Sequence, residues 1–115
     1  MVKQYIPDRG DICWASLDPT LGHEQSGRRP VLVLSLKKYN GLSGLTLVCP
    51  LTSQIKPYPY VVLLGNKGAI LVDQIKSVSW EKRNFTFITT ASPEIISAVL
   101  QKLKIHWQSA LRISI

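Results

Sequence analysis

Residues 11–36 read DICWASLDPTLGHEQSGRRPVLVLSL, and three contrasting pieces of that stretch decide the fold class. Asp11 to Leu17 carries β-branched and aromatic residues directly after the breakers Pro7-Asp8-Arg9-Gly10, which predicts a first strand. Asp18 to Arg29 is polar and interrupted by Pro19, Gly22 and Gly27, so it predicts a long loop. Pro30 then opens Val31 to Leu36, an apolar run that predicts a second strand buried on both faces or nearly so.

The same alternation continues outward. Asn40-Gly41-Leu42-Ser43-Gly44 is turn chemistry, and Leu45 to Leu51 predicts a third strand that Pro50 should terminate or push to an edge. Tyr60 to Leu64, Ala69 to Val72, Ser77 to Trp80 and Phe85 to Ile88 follow as short strands. Gly65-Asn66-Lys67-Gly68 and the charged turn Glu81-Lys82-Arg83-Asn84 punctuate them. Ser92-Pro93-Glu94 signals a helix start: a hydroxyl cap, Pro at the first helical position and a carboxylate at the positive dipole end. Ile95, Ile96, Val99, Leu100 and Leu103 then recur at helical spacing, giving a helix over about 93–107. The tail, 108–115, fits either a continued helix or a strand. The expected fold is mainly β, a small barrel or sandwich with a C-terminal helix laid against it, in one domain covering 1–115.

The chain has 115 residues, 45% of them hydrophobic and 18% charged, which is a globular composition. Fourteen Lys plus Arg against seven Asp plus Glu give a net charge of +7, which favours a polyanionic partner. No apolar run approaches the roughly 20 residues of a membrane span, and Met1 to Gly10 lacks the apolar segment of a secretory signal. Cys13 and Cys49 sit in apolar runs, as expected of two reduced, buried thiols in a cytoplasmic protein. The two cysteines and two histidines (His23, His106) show no zinc-site spacing, so no metal and no cofactor is expected.

Three polar clusters offer chemistry. His23, Glu24, Gln25, Arg28 and Arg29 lie within seven residues on the long loop. Glu24 suits a general base or acid, and Arg29 suits bidentate contact with a phosphate; a solvated salt bridge is the plain alternative. Thr52, Ser53 and Gln54 offer groups for phosphate oxygens or base edges, or simply cap a turn. Asp73, Gln74 and Lys76 form a third cluster, in which Asp73 is placed to tether Arg29 and Lys76 to neutralise a phosphate. Tyr58 and Tyr60 alternate with Pro57 and Pro59 and serve either as core or as stacking platforms for unpaired bases. Trp14 and Trp80 are expected to pack the core.

Taken in order, these residues resemble the MazF/PemK/Kid family of toxin endoribonucleases, and within it the MazF members most. The resemblance rests on Tyr5-x-Pro7-Asp8, Gly10-Asp11-Ile12 with Trp14, Asp18-Pro19, Gly22, Glu24-Gln25 and Gly27-x-Arg29-Pro30. It continues through Val33-Leu34-Ser35, Tyr39-Asn40, Pro50-Leu51-Thr52-Ser53, Lys56 with Tyr58-Pro59, and Val72-Asp73-Gln74-Ile75-Lys76-Ser77. It implies a small SH3-like barrel of the CcdB/PemK type working as a homodimer. It also implies metal-independent cleavage of single-stranded mRNA at a short motif, growth arrest, and inhibition by a cognate acidic antitoxin. By motif position, Glu24 would be the base or acid, with His23 beside it as the alternative. Arg29 would stabilise the transition state and Thr52 would position the scissile phosphate. Gln25, Lys56, Asp73, Gln74 and Lys76 would line the RNA groove. The implied reaction is attack of the ribose 2′-OH on the adjacent phosphate, leaving a 2′,3′-cyclic phosphate and a 5′-OH.

Two rival functions use the same barrel. A gyrase poison like CcdB would act by protein contact through Trp107 and the tail, and a non-catalytic small barrel would bind RNA without cutting it.

Overall fold

Strand β1 (Asp11–Leu17) pairs antiparallel with β2 (Gly27–Val33), from Ile12 opposite Leu32 to Leu17 opposite Gly27. The computed structural model describes residues 4–17, 27–55, 58–65 and 67–113, with side chains as far as 108. After β2 come α1 (Lys37–Ser43), β3 (Leu45–Thr52), β4 (Val61–Leu63), β5 (Ala69–Leu71), a 3₁₀ turn (Val72–Gln74), β6 (Lys76–Ser79), β7 (Thr86–Thr90) and α2 (Pro93–Ile113). The strands make a seven-stranded antiparallel sheet of order β4-β5-β3-β2-β1-β7, with β6 added on β3.

Side-chain alternation divides this sheet between two cores. On one face Ile12, Leu32, Leu34, Cys49, Ile70 and Val72 pack with Val99 of α2, and Ile95, Ile96, Leu100 and Leu103 close over them. On the other, Cys13, Ala15, Leu17, Val31, Val33, Val48 and Val78 pack with Phe85. Val31, Leu32 and Val33 are each fully buried, as a strand with both faces covered requires. Both cysteines are free and buried. Ser92 caps α2, its Oγ accepting the Ile95 N–H at 3.2 Å. The helix seats on Gly10, where an added Cβ would lie 2.7 Å from Ile96 Cδ1.

Four expectations need correction. Arg28 and Arg29 belong to β2 and not to the loop, because Leu17, Ser16 and Ala15 supply strand partners as far as Gly27. Residues 40–43 are the end of a helix and not a turn. The turn chemistry is confined to Gly44, which at φ 75° donates its N–H to Asn40 O at 3.0 Å. Pro50 does not end β3. It pairs with Val31 after the β6 ladder has stopped at Val48 and before the β5 ladder starts at Leu51, so its missing N–H breaks neither. The C-terminal helix runs to Ile113 and so takes in most of the tail.

Asn40 is the polar centre of the structure and is wholly buried. Its Nδ2 donates to Pro7 O (2.7 Å) and Ser35 O (3.1 Å), its Oδ1 accepts from Ser35 Oγ (2.6 Å), and its main-chain O accepts from Trp80 Nε1 (2.8 Å). The N-terminal segment, the β2–α1 junction and the end of β6 are thereby joined at one residue. Replacing Asn40 with Ala strands several buried polar groups and should cost about 3 kcal/mol of stability. Urea denaturation reads this as a lower midpoint, and an unchanged midpoint would show that the network is dispensable.

Candidate active-site cleft

The β2–β3 ladder pairs Val33 with Val48, Leu32 with Cys49 and Val31 with Pro50, and there it stops. Two residues further along each strand stand Arg29 and Thr52. Thr52 lies past the end of the β2 ladder and pairs with Ala69 of β5, while Arg29 pairs with Ala15 of β1. The parting strands open a cleft of about 450 Å³, lined by Trp14, Arg28, Arg29, Pro30, Leu51, Thr52, Ser53, Leu64 and Lys67, with Gly27 at its edge.

Three cations and two hydroxyls therefore face a partly apolar cleft, and no carboxylate lines it among the described residues. Arg28 is braced by its neighbours: Nη1 donates to Ser16 Oγ (3.2 Å) and Asn84 O (3.0 Å), and Nη2 donates to Thr86 Oγ1 (3.1 Å). Thr52 Oγ1 accepts the Gln54 N–H at 3.2 Å, the turn-capping bond of such a sequence, which fixes the oxygen at the cleft rim. Gly68 underlies this rim. At φ +133°, its position leaves no room for a Cβ, which would lie 2.3 Å from Thr52 O.

Of the residues singled out from sequence, the cleft brings together Arg28, Arg29, Thr52 and Ser53. Tyr58 and Asp73 make a second cluster. The Tyr58 hydroxyl donates to Asp73 Oδ2, and the Tyr58 ring meets Tyr60 edge-on at 5.7 Å, which in turn meets His106 at 4.7 Å. Asp73 Oδ1 is buried with no hydrogen-bond partner among the described residues. Gln74 shares the 3₁₀ turn with Asp73, and Lys76 stands opposite Val48 at the start of β6. Gln54 is exposed beyond the rim. His23, Glu24, Gln25 and Lys56 lie outside the described residues.

Two cleft residues escaped sequence reasoning. Trp14 was expected in the core but is 41% exposed. Its place on β1 opposite Pro30 puts it at the strands' parting, and only the register reveals that. Lys67 looked like part of an ordinary hairpin turn; a cation beside Gly68 was the only local signal.

Residues 8–107 match the family of PemK-like, MazF-like toxins of type II toxin–antitoxin systems. The chain belongs to this family. It is 42% identical to the endoribonuclease toxin MazF of Escherichia coli strain K12 over 108 residues, 91% of this chain and 97% of that protein. Endoribonuclease EndoA of Bacillus subtilis is 33% identical over 109 residues, covering 87% and 93%. The crystal structure of MazF from Deinococcus radiodurans superposes with a TM-score of 0.83 at 38% identity, covering 91% of this chain and 99% of that one. A MazE–MazF crystal structure from the same organism gives 0.80 at 37% identity, covering 90% and 98%. The small-barrel architecture with its C-terminal helix is thus the MazF fold. No helix among the described residues is long and apolar enough to cross a membrane.

The hydrogen bond that the Tyr58 hydroxyl donates to the Asp73 carboxylate pushes its ionisation up to about 12, because the phenolate has no proton to donate, and the neighbouring negative charge adds to the effect. A raised pKa means that this contact stabilises the fold fully below about pH 10, the ordinary tyrosine value, and that its contribution fades as pH rises through 12. Asp73→Asn should bring the Tyr58 ionisation down towards its ordinary value. Absorbance at the phenolate band, with Tyr58→Phe to assign the step, reads the change; an unshifted step would contradict the contact.

Proposed function

We propose that this chain is the endoribonuclease toxin of a type II toxin–antitoxin pair, cutting single-stranded mRNA at a short motif in the cytoplasm and so arresting growth. The observation that carries the reading is the cleft itself, with a guanidinium-bearing strand and a hydroxyl-bearing strand end parting around a space of about 450 Å³. Relatives that share the whole fold are named endoribonucleases, which supports RNA rather than gyrase as the target.

In this reading the ribose 2′-OH attacks the adjacent phosphate and the 5′ oxygen leaves, giving 2′,3′-cyclic phosphate and 5′-OH ends. Glu24, with His23 beside it, takes or gives the proton. Arg29 stabilises the charge that builds on the phosphate oxygens, where a planar fork of donors is worth most. Thr52 positions the phosphate. Gln25, Ser53, Gln54, Lys56, Tyr58, Asp73, Gln74 and Lys76 hold the RNA on either side, and Arg28 adds positive potential from its braced position. The protein works as a homodimer and is silenced by an acidic antitoxin; the MazE–MazF complexes of Deinococcus radiodurans support such a partner.

Arg29→Ala should cost about 3 kcal/mol or more of transition-state stabilisation, a rate loss on the order of 10²–10³, with the fold retained. RNA cleavage rates, alongside a melting curve for each variant, test this. Undiminished cleavage by a folded Arg29→Ala protein would remove Arg29 from the reaction.

A further inference from the structure

We infer that Lys67, at the tip of the β4–β5 hairpin, binds an RNA phosphate flanking the scissile one and so sets substrate affinity rather than the chemical rate. This rests on the endoribonuclease reading above and adds to it a residue from a part of the chain remote from Arg29 in sequence.

The hairpin tip is held by two main-chain bonds. Lys67 N–H donates to Leu64 O at 3.0 Å, and Leu64 N–H donates to Gly68 O at 2.9 Å. The next residue, Gly68, lies against the main chain of Thr52, as its missing Cβ allows, and Ala69 pairs with Thr52 directly. Lys67 is therefore tied to the position of Thr52, and it lines the same cleft as Arg29 and Ser53. A lysine ammonium has three donors, no acceptor and a full positive charge, so the ligand it favours there is an anion. No carboxylate lines the cleft among the described residues, whereas Arg28 already donates to Ser16, Asn84 and Thr86. Lys67 is thus a compact exposed charge beside the phosphate-positioning hydroxyl.

The division of labour follows from chemistry. Arg29's planar fork fits a phosphate whose charge is being redistributed, whereas an ammonium is a point charge that holds a ground-state phosphate equally well before and during reaction. Uniform binding of that kind appears in KM and not in kcat.

The experiment compares wild type, Lys67→Met, Lys67→Arg and Lys82→Met, the last at an exposed lysine that does not line the cleft, as a control for lost net charge. Cleavage kinetics use a mixed-sequence single-stranded RNA. Binding uses the same RNA fully 2′-O-methylated, followed by fluorescence anisotropy across a salt series. Lys67→Met should raise KM roughly 5- to 10-fold with kcat nearly unchanged, and should lower the log–log salt slope by about 0.7, the share of one single-strand phosphate contact. Lys67→Arg should keep most of the affinity, and Lys82→Met should stay near wild type. Equal effects of Lys67→Met and Lys82→Met would reduce Lys67 to net charge and overturn the inference. So would a loss confined to kcat, or an unchanged salt slope. Because the binding arm needs no cleavage, a wild-type protein that binds RNA without cutting it would defeat the nuclease reading separately.

Discussion

One strand, β3, pairs with three others, and the cleft opens where its ladder with β2 ends while its pairing continues with β5. Leu45–Val48 pair with β6, Val48–Pro50 with β2, and Leu51–Thr52 with β5. At Val31–Pro50 the strands are still clamped, with both residues wholly buried. Burial of Val31, Leu32, Val33 and Val48 contributes roughly 1.5–3 kcal/mol for each side chain, so the last rung before the parting is rigid. Arg29 and Thr52 would be the next pair but one; they flank an opening instead, mounted on strands and not on a loop. Gly68 then lets β5 approach Thr52 closely enough to hold the far side of that opening.

Local pattern made much of this readable. The bounds of β1 matched its sequence run, the two-faced burial of β2 followed from its continuous apolar residues, and the Ser92 cap began α2. The failures were of two kinds. Asn40-Gly41 carries turn chemistry, yet the Asn40 carboxamide turns inward to Pro7 and Ser35, and that long-range bonding makes the segment helical. Trp14 and Lys67 are cleft residues only because β1, β3 and the β4–β5 hairpin converge. Their neighbours are distant in sequence, and no window of sequence holds that information. The roles proposed for Arg29 and Thr52 rest on the family resemblance, and the strand register sets the two residues on either side of one cleft. Asp73 illustrates the limit of local inference: its carboxylate accepts from Tyr58, fifteen residues earlier.

The net charge of +7 acquires a location from the fold. Arg28 and Arg29 of β2 and Lys67 of the β4–β5 hairpin gather at one cleft. In the proposed function this concentration of charge serves two polyanions, the RNA backbone and an acidic antitoxin. Competition between them for the same cations is the simplest way for one to exclude the other. In the same proposal the apolar lining, Trp14, Pro30, Leu51 and Leu64, would take a base or an apolar antitoxin side chain between the charged contacts.

The most direct test is incubation of the purified, antitoxin-free protein with a long unstructured RNA in excess EDTA, followed by mapping of the new ends. Discrete cuts at one recurring short word, bearing 2′,3′-cyclic phosphate and 5′-hydroxyl ends, are the expected result. Intact RNA from a protein shown to be folded would contradict a nuclease and return the weight to a toxin acting by protein contact.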